Sequence, residues 1–287
     1  MRNPLLALLK QSALALGGRG LGRVKPLRVL YDFCFQLLKP RRVWVQGQRM
    51  WLDDKDTLEL ATREIYEPVE TDLFLKNLPR GGVVLDIGAN IGYYTLIAAR
   101  LVGPQGRVYA FEPDPSNFQL LKKNVEANGY RNVVLVNKAV AQKTGTLRLF
   151  RNEVNLGDHR IYDSKDGRPS IAVAAVALDD FFKKIDKPVQ FIKMDIQGAE
   201  ASALDGMRGL IRKNRSLKLV TEFSPKSLKT CGSDPGKFLR NLGEMGFRIQ
   251  EISEKEGRVR AVQPQALLQR FPGGNEDYTN LFCVKGG

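Results

Sequence analysis

The stretch that most restricts how this 287-residue chain can fold is Val83-Val84-Leu85-Asp86-Ile87-Gly88-Ala89-Asn90-Ile91-Gly92-Tyr93-Tyr94-Thr95. An apolar run of strand length that carries an acid near its end fits a central parallel strand, which is covered on both faces. Gly88 and Gly92 then let the backbone turn sharply and approach a ligand, and a helix opening near Gly92 offers it unpaired N–H groups. The spacing departs from the G-x-G-x-x-G turn of dinucleotide folds, because Asn90 and Tyr93 stand where the second and third glycines belong. Asp86 would repel a phosphate, yet it suits a ligand with ammonium and sulfonium charges such as S-adenosylmethionine. After a second strand, residues 107–111, Glu112 stands where an acid can take both ribose hydroxyls.

Charge is concentrated at the start of the chain. Residues 1–42 hold nine basic side chains against the single acid Asp32, so they carry more than half of the net charge of +14. The remainder is close to balanced and does not present a broad nucleic-acid-binding surface. Residues 5–16 form an apolar stretch that as a helix would span roughly 18 Å, too short for a hydrocarbon core about 30 Å thick. Residues 17–20 break it, and a second apolar segment covers residues 29–38. Three readings of this arm stay open: a cap packed on the domain, an element lying peripherally on an anionic membrane, and a cleaved targeting peptide. Cys34, Cys231 and Cys283 lie far apart with no C-x-x-C pair, which points to a reducing compartment, the cytoplasm, rather than to a disulfide framework. His159 is the only histidine, which removes His-rich metal sites and disfavours a serine-histidine triad.

Residues 43–53 alternate around a Gln-Gly turn like a small hairpin, and residues 57–78 read as helical. Within them Glu67 and Glu70 read as surface carboxylates or as part of a lid. Pro113 and Pro115 open a helix that stops at Asn128-Gly129, and a third strand, residues 133–136, leads to Asn137 and Ala139. Residues 145–176 read as a β insertion with a polar, mobile loop carrying His159. Residues 189–200, VQFIKMDIQGAE, are a fourth strand and its exit, which places Asp195 and Glu200 at the switch point of a doubly wound sheet with Lys193 beneath. Strand 217–223 ends with Glu222. A helix from Pro235, a strand at 247–252 and a last antiparallel strand at 280–284 complete the expected set.

The blocks VLDIGANIGYYT (84–95), FEPDPSNFQLLKKNV (111–125), NKAV (137–140), LDDF (178–181) and IKMDIQGAE with its LDG (192–206) resemble those of FkbM-type S-adenosylmethionine-dependent methyltransferases. Gln197 departs from the glutamate common there. The resemblance implies an α/β, Rossmann-like class I sheet of seven strands, the last antiparallel, with helices on both faces. The expected division is a basic extension at 1–55 and a methyltransferase domain at 56–287 with its β insertion at about 145–176. It also implies a donor held by Asp86, Gly88, Asn90, Gly92, Glu112, Asn137 and Ala139, and an acceptor that is a sugar, glycan, glycolipid or natural-product hydroxyl.

Methyl transfer requires in-line alignment and removal of the acceptor proton. Asp195 is the first candidate for that proton, followed by Glu200 and His159. No metal is expected, because the candidate carboxylates lack a histidine partner and leave separate strand ends. Nucleic-acid partners are disfavoured, since no NPPY or DPPY motif and no Pro-Cys pair is present. An RNA methylase that grips phosphate with the basic arm, and a non-catalytic binding protein on the same fold, are the alternatives.

Overall fold

The computed structural model describes residues 4–17, 25–185, 187–274 and 277–286. The expected break at residues 18–20 lies outside the described residues, as do Arg2, Arg19 and Arg23 of the basic arm. By compactness the chain divides into residues 1–66 and 67–287, where the sequence suggested a boundary at 55.

The first unit contains helices α1 (Pro4–Gly17) and α2 (Lys25–Leu38) and the hairpin β1 (Arg42–Val45) and β2 (Gln48–Trp51). Gln46 and Gly47 both take positive φ at its tip, the conformation of a two-residue hairpin turn. Among the described residues no helix is long and apolar enough to cross a membrane. The helix expected over 57–78 is confined to α3 (Pro68–Asn77). Its physical cause is local. Asp53 accepts from the amides of Lys55 and Thr57, and Asp56 from that of Ala61, so these residues close turns. Glu67, ahead of Pro68, is left-handed at φ 43° and starts the helix afresh.

The second unit continues with β3 (Val83–Ile87), α4 (Tyr93–Val102), β4 (Arg107–Phe111), α5 (Pro115–Ala127), β5 (Val133–Val136) and β6 (Ala139–Val140). β7 (Gly145–Phe150), β8 (Ser170–Val176), α6 (Leu178–Phe181), β9 (Phe191–Met194), α7 (Glu200–Asp205) and α8 (Arg208–Lys213) follow. β10 (Leu217–Phe223), α9 (Pro225–Thr230), α10 (Pro235–Glu244), β11 (Arg248–Ser253), β12 (Arg258–Ala261), α11 (Pro264–Arg270) and β13 (Thr279–Lys285) complete it. The main sheet has the order β12-β11-β13-β10-β9-β3-β4-β5, with β13 antiparallel to β10 and β11. From β10 to β5 the neighbours are parallel. All five residues of β3 and all four of β9 are buried, which explains why both read as apolar apart from Asp86 and Lys193.

The sheet has eight strands, not the expected seven. The extra one, β12, pairs antiparallel with β11 at the edge, where Arg260 lies opposite Glu251 and ion-pairs with it at 2.8 Å. Its alternating arginines, suited to an exposed edge, conceal the strand in the sequence. The β insertion is present as a separate sheet of order β6-β8-β7. Its connecting loop is laced rather than mobile. Asp158 pairs with Arg160 and Arg168, and Asn117 of α5 donates to Leu156 O.

The chain crosses β3 between β5 and β9, and there the ends of β3 and β9 meet closely. A Cβ on Gly88, at φ +82°, would lie 2.0 Å from the carbonyl oxygen of Asp195. Gly88→Ala is expected to cost more than about 2 kcal/mol through strain and overpacking. Gly129→Ala, equally left-handed but in open space, should cost only about 1 kcal/mol. Urea denaturation of both variants checks this; equal losses would refute a tight approach at Gly88.

Candidate active site

The strand-end turn is built by backbone groups. Gly88 and Ala89 donate to Phe111 O at 3.0 and 2.9 Å, which ties the turn to β4. Glu112 accepts from Asn90 N through one oxygen and from Asp114 N through the other, at 2.8 and 2.9 Å. Each carboxylate oxygen keeps a further lone pair for a ligand hydroxyl. The buried Asn90 Oδ1 has no hydrogen-bond partner among the described residues, and α4 begins at Gly92, φ 98°, without a side-chain cap. Asn137 donates to Glu112 O at 2.7 Å and so borders the Glu112 end of the site, while Ala139 is buried on β6 in the small core of the insertion sheet.

Asp86 is buried and accepts from Thr95 Oγ1, which braces β3 against α4. Burial pushes its pKa up to about 6 against the Thr95 bond and the Lys193 charge. Burial likewise raises Glu112 to about 8, although two backbone amides oppose it.

The second half of the site gathers at the ends of β9 and β10. Asp195 N donates to Ile87 O at 3.0 Å, which aligns its strand end with the glycine turn. Gln197 and Gly198 take positive φ and turn the chain away, and Gln197 Nε2 donates to Asp195 Oδ1 at 2.9 Å. Glu200 accepts from Ile196 N at 3.0 Å, and burial raises its carboxyl to about 7. Burial, with Asp195 and Glu200 nearby, raises Glu222 well above the carboxylate range. The expectation that these acids stay apart fails: one oxygen from each of Asp195, Glu200 and Glu222 lies within 4.8 Å of the others.

Lys193 Nζ ion-pairs with Glu70 Oε1 at 2.8 Å and lies 3.7 Å from Asp195 Oδ2, above the Tyr94 ring. Burial alone would lower its pKa, but Glu70, Asp195 and Glu67 outweigh that and raise it. Glu67 and Glu70 are thus neither lid nor surface. Glu70 Oε2 accepts from Asn280 Nδ2 at 2.6 Å, and Glu67 Oε2 from Tyr94 OH at 3.0 Å. Asn280 and Tyr94 gave no signal in the sequence, whereas the i,i+3 acids at the head of α3 did.

His159 belongs to another cluster. Its side chain is only 7% exposed, Nδ1 accepts from Asn152 N at 3.0 Å, and Nε2 lies 3.8 Å from Asp114 Oδ2. Burial lowers its pKa despite Asp114. Asp114 also caps α5 and pairs with Arg151 at 2.8 Å. The histidine therefore anchors the insertion loop and is not among the groups around Asp195. From that loop Tyr162 OH does reach the site, donating to Gln197 O at 2.9 Å.

The sequence profile of the Methyltransferase FkbM domain matches residues 86–249, more than half of the chain, including the glycine turn, Glu112 and the three acids Asp195, Glu200 and Glu222. The chain belongs to the FkbM methyltransferase family. The methyl donor of this family is S-adenosylmethionine, and the glycine cradle, the free lone pairs of Glu112 and the unpartnered Asn90 Oδ1 fit it. Protein-L-isoaspartate O-methyltransferase of Methanothrix thermoacetophila is 39% identical over 62 residues, 22% of this chain and 30% of that one. Methyltransferase sdnD of Sordaria araneosa is 26% identical over 182 residues, 52% of this chain and 70% of its own. The chain thus spans less than a third of the isoaspartate methyltransferase. Among solved structures, the FkbM methyltransferase of Methylobacillus flagellatus KT has a TM-score of 0.43 at 20% identity, over 71% of this chain and 44% of that one. An S-adenosylmethionine-dependent O-methyltransferase of Thermotoga maritima gives 0.46 at 13%, over 90% and 82%. Likeness at this level concerns the fold alone.

Asp86, Glu200 and Glu112 all hold protons more tightly in the fold than in an unfolded chain. Their contribution to stability is complete below their ordinary values and is lost as pH rises through about 6, 7 and 8. The donor-free protein should therefore lose melting temperature between about pH 4 and about pH 8, and Glu200→Gln should flatten that fall between its ordinary value and about 7. Calorimetric melting across the range checks it; an unchanged slope in the variant would mean that Glu200 titrates as it does in water.

Proposed function

We propose that this FkbM-family chain transfers a methyl group from S-adenosylmethionine to a hydroxyl oxygen of a sugar, glycan, glycolipid or natural product. The observation that carries the reading is Asp195: a carboxylate 28% exposed at its side chain, in a cluster whose other acids are buried. A hydroxyl must shed a proton as its oxygen bonds to carbon, and an oriented carboxylate is a suitable acceptor.

When bound, the donor supplies a methyl already activated by its sulfonium. The protein's share is placement. Gly88, Asn90 and Gly92 give the donor a backbone cradle, Glu112 takes the ribose hydroxyls, and Asn137 borders the base. Gln197 Nε2 fixes one oxygen of Asp195 at 2.9 Å, and Lys193 Nζ lies 3.7 Å from the other. Tyr162, fastened to Gln197 O, supplies a wall from the insertion, where the acceptor side of the cleft lies.

Titration calorimetry should detect S-adenosylmethionine binding, weakened in Glu112→Gln by about 1–3 kcal/mol. Asp195→Asn should keep donor affinity while single-turnover transfer falls by about 10²–10⁴. The acceptor for that assay comes from a screen with labelled donor against extracts fractionated as glycans, lipids, small molecules and RNA. Wild-type affinity in the first variant would displace Glu112 from the ribose. Collapse of affinity in the second would make Asp195 a donor contact, and label entering RNA alone would replace the hydroxyl reading with the RNA one.

A further inference from the structure

Three acids reach one point from different elements: Asp195 just after β9, Glu200 at the start of α7, and Glu222 near the end of β10. Exposed acid clusters are common and need no ion. This one differs, because Glu200 and Glu222 are buried at 1% and 8% exposure. Buried carboxylates have to be paired, protonated or bound to a cation. Among the described residues neither of these two makes an ion pair, and the buried Glu222 Oε2 has no hydrogen-bond partner. Lys193 does not fill the gap, since its close contact, 2.8 Å, is to Glu70, and only Asp195 of the three lies within reach, at 3.7 Å.

We propose that Asp195, Glu200 and Glu222 form a binding site for one hard divalent cation of calcium or manganese size. The donor set is all oxygen, with no cysteine or histidine, which disfavours zinc. The three oxygens lie within 4.8 Å of one another, inside the span across a cation with bonds of about 2.4 Å, as calcium makes. Glu200 and Glu222 would anchor the ion from inside, and the half-exposed side of Asp195 leaves positions for water and an incoming hydroxyl. A cation there would lower the pKa of that hydroxyl beside the donor turn. This consequence rests on the methyl-transfer reading; the cation site itself does not.

The test uses the full chain, stripped with chelator and titrated with manganese(II) while electron paramagnetic resonance reads the free ion. One manganese per chain is expected, with a dissociation constant at or below about 1 mM and calcium as a competitor. Glu222→Gln should weaken it at least about tenfold, and Asp163→Asn, a surface acid, should leave it unchanged. Should Glu222→Gln fail to fold by circular dichroism, Asp195→Asn takes its place, because that side chain is partly exposed. No binding at about 10 mM, or stoichiometric binding unaffected by either cluster variant, overturns the proposal. So does donor affinity that falls in Glu222→Gln without any bound manganese, since the donor's own cationic groups would then satisfy the acids. Donor calorimetry on the same samples keeps the readings apart: donor binding without manganese sinks only the cation site, and manganese binding without donor sinks only the methyltransferase reading.

Discussion

The site depends on a close approach that only glycine permits. The backbone at Gly88 comes so near the carbonyl of Asp195 that a Cβ there would sit 2.0 Å from it. That contact brings the strand end holding the donor turn against the strand end holding the acids. Any side chain at Gly88 would have to push the two apart, and an error of about 1 Å in placing reactants is enough to cost two orders of magnitude in rate. A similar constraint operates at Gly198, where a Cβ would meet the backbone of Ser227 at 2.7 Å. The two glycines let the segment that carries Asp195 lie against the β3 turn on one side and α9 on the other.

Electrostatics add a second layer. Glu70 and Lys193 form a buried ion pair, and removing either partner would leave an uncompensated buried charge costing about 3–5 kcal/mol. The exposed pair Lys76 and Asp72 on the same helix, at the similar distance of 2.7 Å, contributes well under about 1 kcal/mol. Burial makes the difference. It also makes the site costly to keep empty. Glu112, Glu200 and Glu222 all titrate above their ordinary range because water has been withdrawn from them. Ligand hydroxyls and cations relieve that cost, so binding and stability are coupled through the same carboxylates.

The insertion joins this arrangement from outside the main sheet. Arg151 and His159 fasten it to Asp114, the cap of α5 and a near neighbour of Glu112, while Tyr162 fastens it to the Asp195 loop. One laced segment thus touches the frame of both halves of the cleft, which suits an element that shapes an acceptor pocket.

The sequence by itself determined the elements whose signals are local. The turn from β3 into α4, the acid Glu112 after β4, the proline-started helices and the order of strands up to β10 are written in apolar runs, glycines and prolines. Membership of the FkbM family follows from the same stretches. Tertiary structure alone decided what depends on pairing between distant residues. Glu70 meets Lys193 of β9 and Asn280 of β13 only because α3 packs where these two strands present them. Glu222 comes within reach of Asp195 and Glu200 only because β10 ends beside the exit of β9. His159 leaves the list of proton acceptors because its loop folds onto Asp114, and β12 exists because β11 offers it an open edge. Backbone preferences act over a few residues and can be read along the chain. The direction and pairing of a charged side chain depend on neighbours supplied by the whole sheet.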